Sequence, residues 1–190
     1  MRWLAAAFCL GCLCVTIVPQ RAGASWEHLK QDGRVALIRH ADAPGSGDPP
    51  GWRIGDCTTQ RNLSERGRAQ ARALGEKFHE KAVSVGKVVS SQWCRTVETA
   101  RLMNLGDVEE VSAFNNAYML RDKRASLRRE ARDFIASWRG PGVLVVVTHG
   151  ENIALLTGIS PASGEIVVVQ AAAELPDRLS VIARIAPGSS

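Results

Sequence analysis

The sequence predicts an α/β fold, a three-layer α/β/α sandwich around a largely parallel central sheet. Short apolar runs rich in β-branched residues alternate with amphipathic segments at helical spacing, which is the pattern of repeated strand-helix units. The run from Val143 to Thr148 is almost continuously apolar, as expected for a central strand covered on both faces. No linker divides the chain from Ser25 onward, so residues 25–190 are expected to form one domain.

The first half of the chain begins with a strand and a long loop. The strand, Arg34 to Ile38, is a short apolar run behind the turn residues 31–33. Residues 41–55 are rich in proline and glycine and are therefore expected to be irregular. A helix follows Ser64, which caps it, and its apolar residues recur at helical spacing: Ala69, Ala73, Leu74 and Phe78.

The second half continues the alternation of strands and helices. Strands are predicted at residues 87–90, 143–148, 165–171 and 179–185, and helices at residues 95–103, 125–138 and 152–157. The helix over 125–138 carries its apolar residues on one side, namely Leu127, Ala131, Phe134, Ile135 and Trp138.

Residues 1–24 are typical of a secretory signal peptide. Arg2 gives a positive start, the apolar run over residues 4–18 is shorter than the ~20 residues that a membrane-spanning helix needs, and residues 22–24 form a small-x-small cleavage site. We expect cleavage after Ala24, export to the periplasm or medium, and no stable membrane insertion. An uncleaved anchor and a lipoprotein cut at Cys12 are disfavoured alternatives.

Net charge and cysteine content indicate which partners and which covalent bonds to expect. The chain carries a formal net charge of +5, and two of its arginines lie in the predicted signal peptide. The remaining excess is mild and gives no reason to expect nucleic-acid binding. After cleavage, Cys57 and Cys94 would be the remaining cysteines, and in an oxidising compartment we expect them to form a disulfide. Two buried free thiols are the alternative.

Three predicted strands end in polar residues of a matching kind: Arg39-His40, residues 91–95, and His149. Ligands of open α/β sheets bind beyond the carboxyl ends of the strands, so these side chains are candidates for one pocket. Arginine presents a fixed fork of donors to phosphate oxygens, and neutral imidazole is a good nucleophile. The set therefore predicts a phosphoryl site.

Two other interpretations of these residues are less favoured. A single histidine at a strand end is usually a hydrogen-bonded structural residue, but His40 and His149 come with Arg39 and Arg95. A zinc site using both histidines would need a third ligand, and the neighbouring arginines would repel a dication. We therefore expect neither a metal nor another cofactor.

Ordered segments of the chain resemble the motifs of the histidine phosphatase superfamily. Residues 37–41 look like its Arg-His-Gly signature, residues 90–96 resemble its second Arg-Thr motif, and residues 147–150 match its second histidine. Residues 62–71 resemble the helix after the first motif. The ordered set is far more specific than any one motif. The resemblance spans residues 35–157 and implies a phosphoglycerate mutase-like fold.

The resemblance implies a role for each matching residue. His40 would attack the phosphorus and form a phosphohistidine, while Arg39, Arg95 and His149 would bind the phosphoryl oxygens. The stretches around Gln60 to Ser64 and Trp93 to Arg95 resemble exported small members that include the lipopolysaccharide core heptose phosphatase. The implied activity is that of a metal-independent phosphomonoesterase of the histidine acid phosphatase type.

The sequence departs from the family pattern where many members have the proton donor for the leaving group. Many small members have a glutamate after the second motif, but residues 111–119 contain no carboxylate. Glu151, two residues beyond His149, is the preferred donor, with Asp122 and Asp42 behind it. A role as a helix-terminal charge is the alternative for Glu151.

Other charged residues receive structural interpretations. Glu98 is expected to pair with a nearby arginine rather than to catalyse. Five basic residues are interpreted as a solvated helix face, although they could attract an anionic substrate: Arg121, Lys123, Arg124, Arg128 and Arg129.

The sequence thus predicts an exported hydrolase of a small or surface-attached phosphomonoester, such as a lipopolysaccharide-type substrate. A phosphohistidine-protein phosphatase and a phosphate-binding protein without turnover are the alternatives. Phosphoglycerate mutase activity is disfavoured by export and by the long loop after His40.

Overall fold

Strands and helices alternate along the chain in the predicted order. The computed structural model describes residues 22–172 and 176–189. The strands in these ranges are β1 (Arg34–Arg39), β2 (Val85–Ser90), β3 (Val108–Glu110), β4 (Val143–Thr148), β5 (Ile166–Gln170) and β6 (Val181–Ile185). The α-helices are α1 (Ala22–Glu27), α2 (Glu65–Glu80), α3 (Cys94–Met103), α4 (Arg124–Ser137) and α5 (Gly150–Thr157). Residues 1–21 of the predicted signal peptide lie outside the described residues.

The six described strands form one sheet in the order β3-β2-β4-β1-β5-β6. The pairs among β3, β2, β4 and β1 are parallel, whereas β5 and β6 are antiparallel to their neighbours. The expected largely parallel sheet is therefore confirmed, with an antiparallel edge that we did not predict. Strand β3 was also missed, because two of its three residues are glutamates and it has no apolar run. In the centre, Arg39 of β1 lies opposite Thr148 of β4, so both strands end at the same edge.

Helices cover both faces of the sheet, which confirms the three layers. One face packs on α1, α2 and α3 through side chains such as Phe78 and Met103. The other face packs on α4 and α5 through Ile135 and Ile153. All six residues of β4 are buried, as predicted for a central strand. None of the described helices is long and apolar enough to cross a membrane.

The start of α2 is built against the loop that follows β1. Ser64 caps the helix as predicted, its hydroxyl oxygen accepting from the Gly67 amide at 3.0 Å. A Cβ on Gly67 would lie 2.1 Å from the carbonyl oxygen of Asp42, so only glycine permits this approach. The loop is thereby held close to the helix from its first residues.

The predicted disulfide between Cys57 and Cys94 is present. Cys57 begins a short 3-10 turn in the long loop, and Cys94 is the first residue of α3. The bridge therefore joins the loop after β1 to the helix after β2, 37 residues further along the chain.

Candidate active site

A cavity of about 300 Å³ lies beyond the carboxyl ends of β1 and β4. All five residues that the sequence singled out for catalysis or phosphate binding border it: Arg39, His40, Arg95, His149 and Glu151. Its wall also includes the loop residues Gly45–Gly47, Arg61, Asn116 and Tyr118. The parallel pairing of β1 with β4 is what brings the two histidines together, since each directly follows one of these strands.

His40 is oriented as a neutral base. Its side chain is 3% exposed, and Nδ1 lies 2.8 Å from the carbonyl oxygen of Ala41. A carbonyl only accepts hydrogen bonds, so Nδ1 carries the proton and Nε2 keeps its lone pair. Burial, together with the charges of three neighbouring arginines, lowers the pKa of His40 to about 3, although the hydrogen bond to Ala41 acts in the opposite direction. The imidazole is therefore unprotonated at neutral pH.

His149 lies beside His40, with 5.5 Å between the ring centroids. Its Nε2 is 3.0 Å from the hydroxyl of Ser91, which fixes the ring, whereas the buried Nδ1 has no hydrogen-bond partner among the described residues. Burial lowers the pKa of His149 well below its usual value, and the charge of Arg95 lowers it further. A buried nitrogen without a partner is costly unless a ligand supplies one.

The two arginines predicted to bind phosphate also each have a buried nitrogen without a hydrogen-bond partner among the described residues. Arg39 donates from Nη1 to the carbonyl oxygen of Pro161 at 2.9 Å, and its buried Nε has no partner in the described chain. The Nε of Arg95 is likewise buried and unpartnered. Arg39, Arg95 and His149 therefore each bring one unsatisfied nitrogen to the residues that border the cavity.

Sequence reasoning missed Asp48, which forms a buried ion pair with Arg95. The Nη1 of Arg95 lies 2.7 Å from Oδ1 of Asp48 and Nη2 lies 3.1 Å from Oδ2, and both side chains are 0% exposed. The indole of Trp93 donates to Oδ2 at 3.0 Å, and the Arg61 amide donates to Oδ1 at 2.9 Å. The residue lies in an irregular stretch with no periodicity, so no local pattern distinguishes it.

Arg61 also received no role from the sequence, although it lies in a stretch that resembles family members. Its Nε donates to the carbonyl oxygen of Gly47 at 2.8 Å, and Nη1 donates to that of Ala43. Burial lowers the pKa of Arg61, and the charge of Arg95 lowers it further, but the group remains a cation at neutral pH. Three arginines, one buried aspartate and two neutral histidines give the centre a net charge of +2, to which the ion pair of Glu151 with Arg124 adds nothing. This charge matches a phosphomonoester dianion.

Glu151 is the only carboxylate among the described residues that border the cavity. It forms an ion pair with Arg124, and its side chain is 29% exposed. Asp42 and Asp122, ranked behind it as donors, do not border the cavity. The carboxylate of Asp42 is instead bound by Arg66 and Ser64, and the Arg66 hydrogen bond is the main cause of its lowered pKa.

The remaining charged residues largely follow expectation. Glu98 accepts from Nε of Arg68 at 2.6 Å, as predicted for a structural partner. The basic run is mostly exposed, but Arg121 lies over the ring of Tyr118 and Arg124 binds Glu151. This end of the run therefore reaches the mouth of the cavity. Within residues 22–172 and 176–189, no three His, Cys, Asp or Glu side chains are grouped as metal ligands would be.

Comparison with known proteins shows which family part of this chain resembles. Residues 35–116 match the family described as "Histidine phosphatase superfamily (branch 1)". The chain is 31% identical over 93 residues to the mitochondrial serine/threonine-protein phosphatase Pgam5 of Drosophila willistoni. That match covers 48% of this chain and 29% of the relative, so it spans less than a third of the relative's length.

Solved structures share the fold at low sequence identity. The protein histidine phosphatase SixA, complexed with tungstate, aligns with a TM-score of 0.54 at 16% identity, over 81% of this chain and 97% of that one. The product of an open reading frame of Mycobacterium tuberculosis aligns with a TM-score of 0.57 at 16% identity, over 83% of this chain and 100% of that one. The matched range includes Arg39, His40 and Arg95. His149 lies outside that range but borders the same cavity. Residues 35–116 of this chain are thus similar to the histidine phosphatase superfamily (branch 1), and the described fold is similar to that of these solved structures.

Proposed function

We propose that this protein hydrolyses phosphomonoesters through a phosphohistidine formed on His40. The observation that carries the proposal is the set of unsatisfied buried nitrogens of Arg39, Arg95 and His149 around a neutral imidazole. An oxyanion would supply the missing partners, and the net charge of +2 favours a dianion over the monoanionic phosphodiester.

The first step transfers the phosphoryl group to the protein. The Nε2 lone pair of His40 attacks phosphorus while the ester P–O bond breaks, and Glu151 donates a proton to the leaving oxygen. The ring then carries positive charge, which the carbonyl oxygen of Ala41 stabilises through Nδ1. In the second step water attacks phosphorus, gives a proton to Glu151, and the P–N bond breaks to release phosphate and neutral His40.

The surrounding cations stabilise the charge on the transferring group. Arg39, Arg61 and Arg95 together with His149 surround the space next to His40, where the phosphoryl oxygens would lie. Fixed positive groups in a largely buried site stabilise the spread-out charge of the transition state without first having to reorganise.

A steady-state assay with p-nitrophenyl phosphate and several sugar phosphates tests this proposal. We expect His40→Ala to lose more than about 1,000-fold in kcat while the thermal unfolding curve is kept. Acid-labile phosphate trapped during turnover should map to His40. Activity of the variant within tenfold of wild type would remove His40 as the nucleophile, and phosphate binding without turnover in wild type would indicate a binding protein instead.

The ion pair between Glu151 and Arg124 favours a second candidate, a protein phosphohistidine phosphatase. An engaged carboxylate is poorly placed to donate a proton, and a phosphohistidine leaving group depends less on one than an alkyl alcohol does. The same assay with a phosphohistidine peptide distinguishes the two functions by their kcat/KM values.

We further propose that the protein acts outside the cytoplasm on a small or surface-attached phosphomonoester, a lipopolysaccharide-type phosphate included. The signal-like first 24 residues and the Cys57–Cys94 bridge support export, because disulfides persist in oxidising compartments. Sequencing the N-terminus of protein purified from the producing cells should find Ser25 first, and an intact Met1 would contradict cleavage.

A further inference from the structure

We propose that Asp48 is a positioning residue of the site, which aims Arg95 at the phosphoryl group and sets the charge of the cavity. The inference rests on the proposed function. Asp48 does not border the cavity, so it acts through the arginine to which it is bound.

The carboxylate of Asp48 is fully engaged. Oδ1 accepts from Nη1 of Arg95 and from the amide of Arg61, and Oδ2 accepts from Nη2 of Arg95 and from the indole of Trp93. Two donors for each oxygen leave no position for a substrate or for a transferable proton. Asp48 therefore holds its neighbours and is not itself an acid or a base.

This bonding divides the five N–H donors of Arg95. Nη1 uses one hydrogen on Asp48 and one on the carbonyl oxygen of Arg61, at 3.2 Å, and Nη2 uses one on Asp48. The two that remain are the Nε hydrogen and the second Nη2 hydrogen, which lie side by side on the same edge of the planar guanidinium. They form a fork that fits two oxygens of one phosphate.

Asp48 also sets the charge of the site and the position of its wall. Without it, three arginines would give the centre +3, and the buried charge of Arg95 would have no partner. Its bond to the Arg61 amide fixes the loop at the point where Arg61 reaches the cavity. One side chain thus orients one cation directly and a second through the backbone.

The test replaces Asp48 with asparagine, which keeps the shape but removes the charge and half of the acceptors. We expect kcat for p-nitrophenyl phosphate to fall about 100-fold, because the guanidinium of Arg95 is no longer held in the orientation that binds the phosphoryl group. The affinity for inorganic phosphate, measured as a competitive inhibition constant, should stay equal or become tighter because the cavity gains a positive charge. A general collapse of the site would weaken phosphate binding together with kcat, and that result would overturn the proposal.

A double-mutant cycle tests whether Asp48 acts through Arg95. Arg95→Lys keeps a charge without the fork, and in that background D48N should cause no further loss of kcat. Losses that multiply would overturn the proposal. If D48N does not fold, Trp93→Phe removes one of the four bonds to the carboxylate, and its smaller loss should also vanish in the Arg95→Lys background.

The wild-type assay separates the two proposals. A wild-type protein without turnover on any phosphomonoester would overturn the proposed function, and this inference with it. An active wild type whose D48N variant keeps kcat within twofold would overturn this inference alone.

Discussion

At the scale of single residues, the Arg124 ion pair of Glu151 bears on the choice of leaving group. Only a protonated carboxyl can donate, whereas the ion pair is formed by the charged carboxylate. Donation therefore requires that this exposed pair opens, which costs little at a surface site. A substrate that places an alkyl oxygen beside Glu151 would meet this cost in every turnover.

Glu151→Gln tests the donor role directly. We expect kcat/KM to fall about 100-fold for alkyl phosphates, whose leaving groups need a proton, and to change little for aryl phosphates. The measurement is a pair of kinetic constants with glycerol phosphate and p-nitrophenyl phosphate. Arg129→Gln, a change on the exposed part of α4, is the matched control and should alter neither. An equal loss with both substrates would argue against Glu151 as the acid.

At the scale of elements, the loop between β1 and α2 connects the disulfide to the site. The loop carries Asp48 and Arg61, and the bridge attaches it to α3 one residue before Arg95. Polar bonds support the same junction, since Gln60 accepts from the Cys94 amide at 3.0 Å and Asn62 donates to the Cys57 carbonyl at 2.7 Å. The loop is irregular in conformation but is bound at several points.

Removing the bridge should therefore lower stability and disturb the site while keeping the fold. Replacing Cys57 and Cys94 by serine is expected to reduce the free energy of unfolding by about 4 kcal/mol, because the unfolded chain regains the freedom of a closed loop of this length. Urea unfolding measures this loss, and KM for p-nitrophenyl phosphate should rise. Each single serine variant is a control and should match the double variant. A double variant as stable as wild type would show that the polar bonds alone hold the junction.

The loop also contains the site residues that could not be predicted from the sequence. Periodicity and strand-end residues were enough to place β1, β4 and the two histidines, because apolar runs determine which strands are central. Asp48 and Arg61 were missed because their partners come from other parts of the chain through an irregular path, which no local pattern records. Strands β5 and β6 were predicted, but their antiparallel direction was not, since an apolar run predicts a strand and not its direction.

At the scale of the whole molecule, the two buried histidines of the site lower the free energy of unfolding in acid. His40 and His149 are held neutral by burial, whereas in the unfolded chain each binds a proton near pH 6.5. Between that pH and the value of about 3 for folded His40, the unfolded state binds more protons than the folded state. The free energy of unfolding therefore rises with pH across this window and falls as the solution is acidified.

His40→Asn should flatten this dependence. Each buried neutral histidine contributes up to ~1.4 kcal/mol per pH unit within the window, so the variant is expected to lose less stability than wild type between neutral pH and pH 4.5. Urea unfolding at a series of pH values measures the two slopes. His79→Asn is the matched control, because His79 lies on the exposed face of α2 and its replacement leaves the buried imidazoles in place. If wild type and His40→Asn lose stability in parallel, the imidazole of His40 is protonated in the folded protein, and a neutral nucleophile is then excluded at the acidic end of the range.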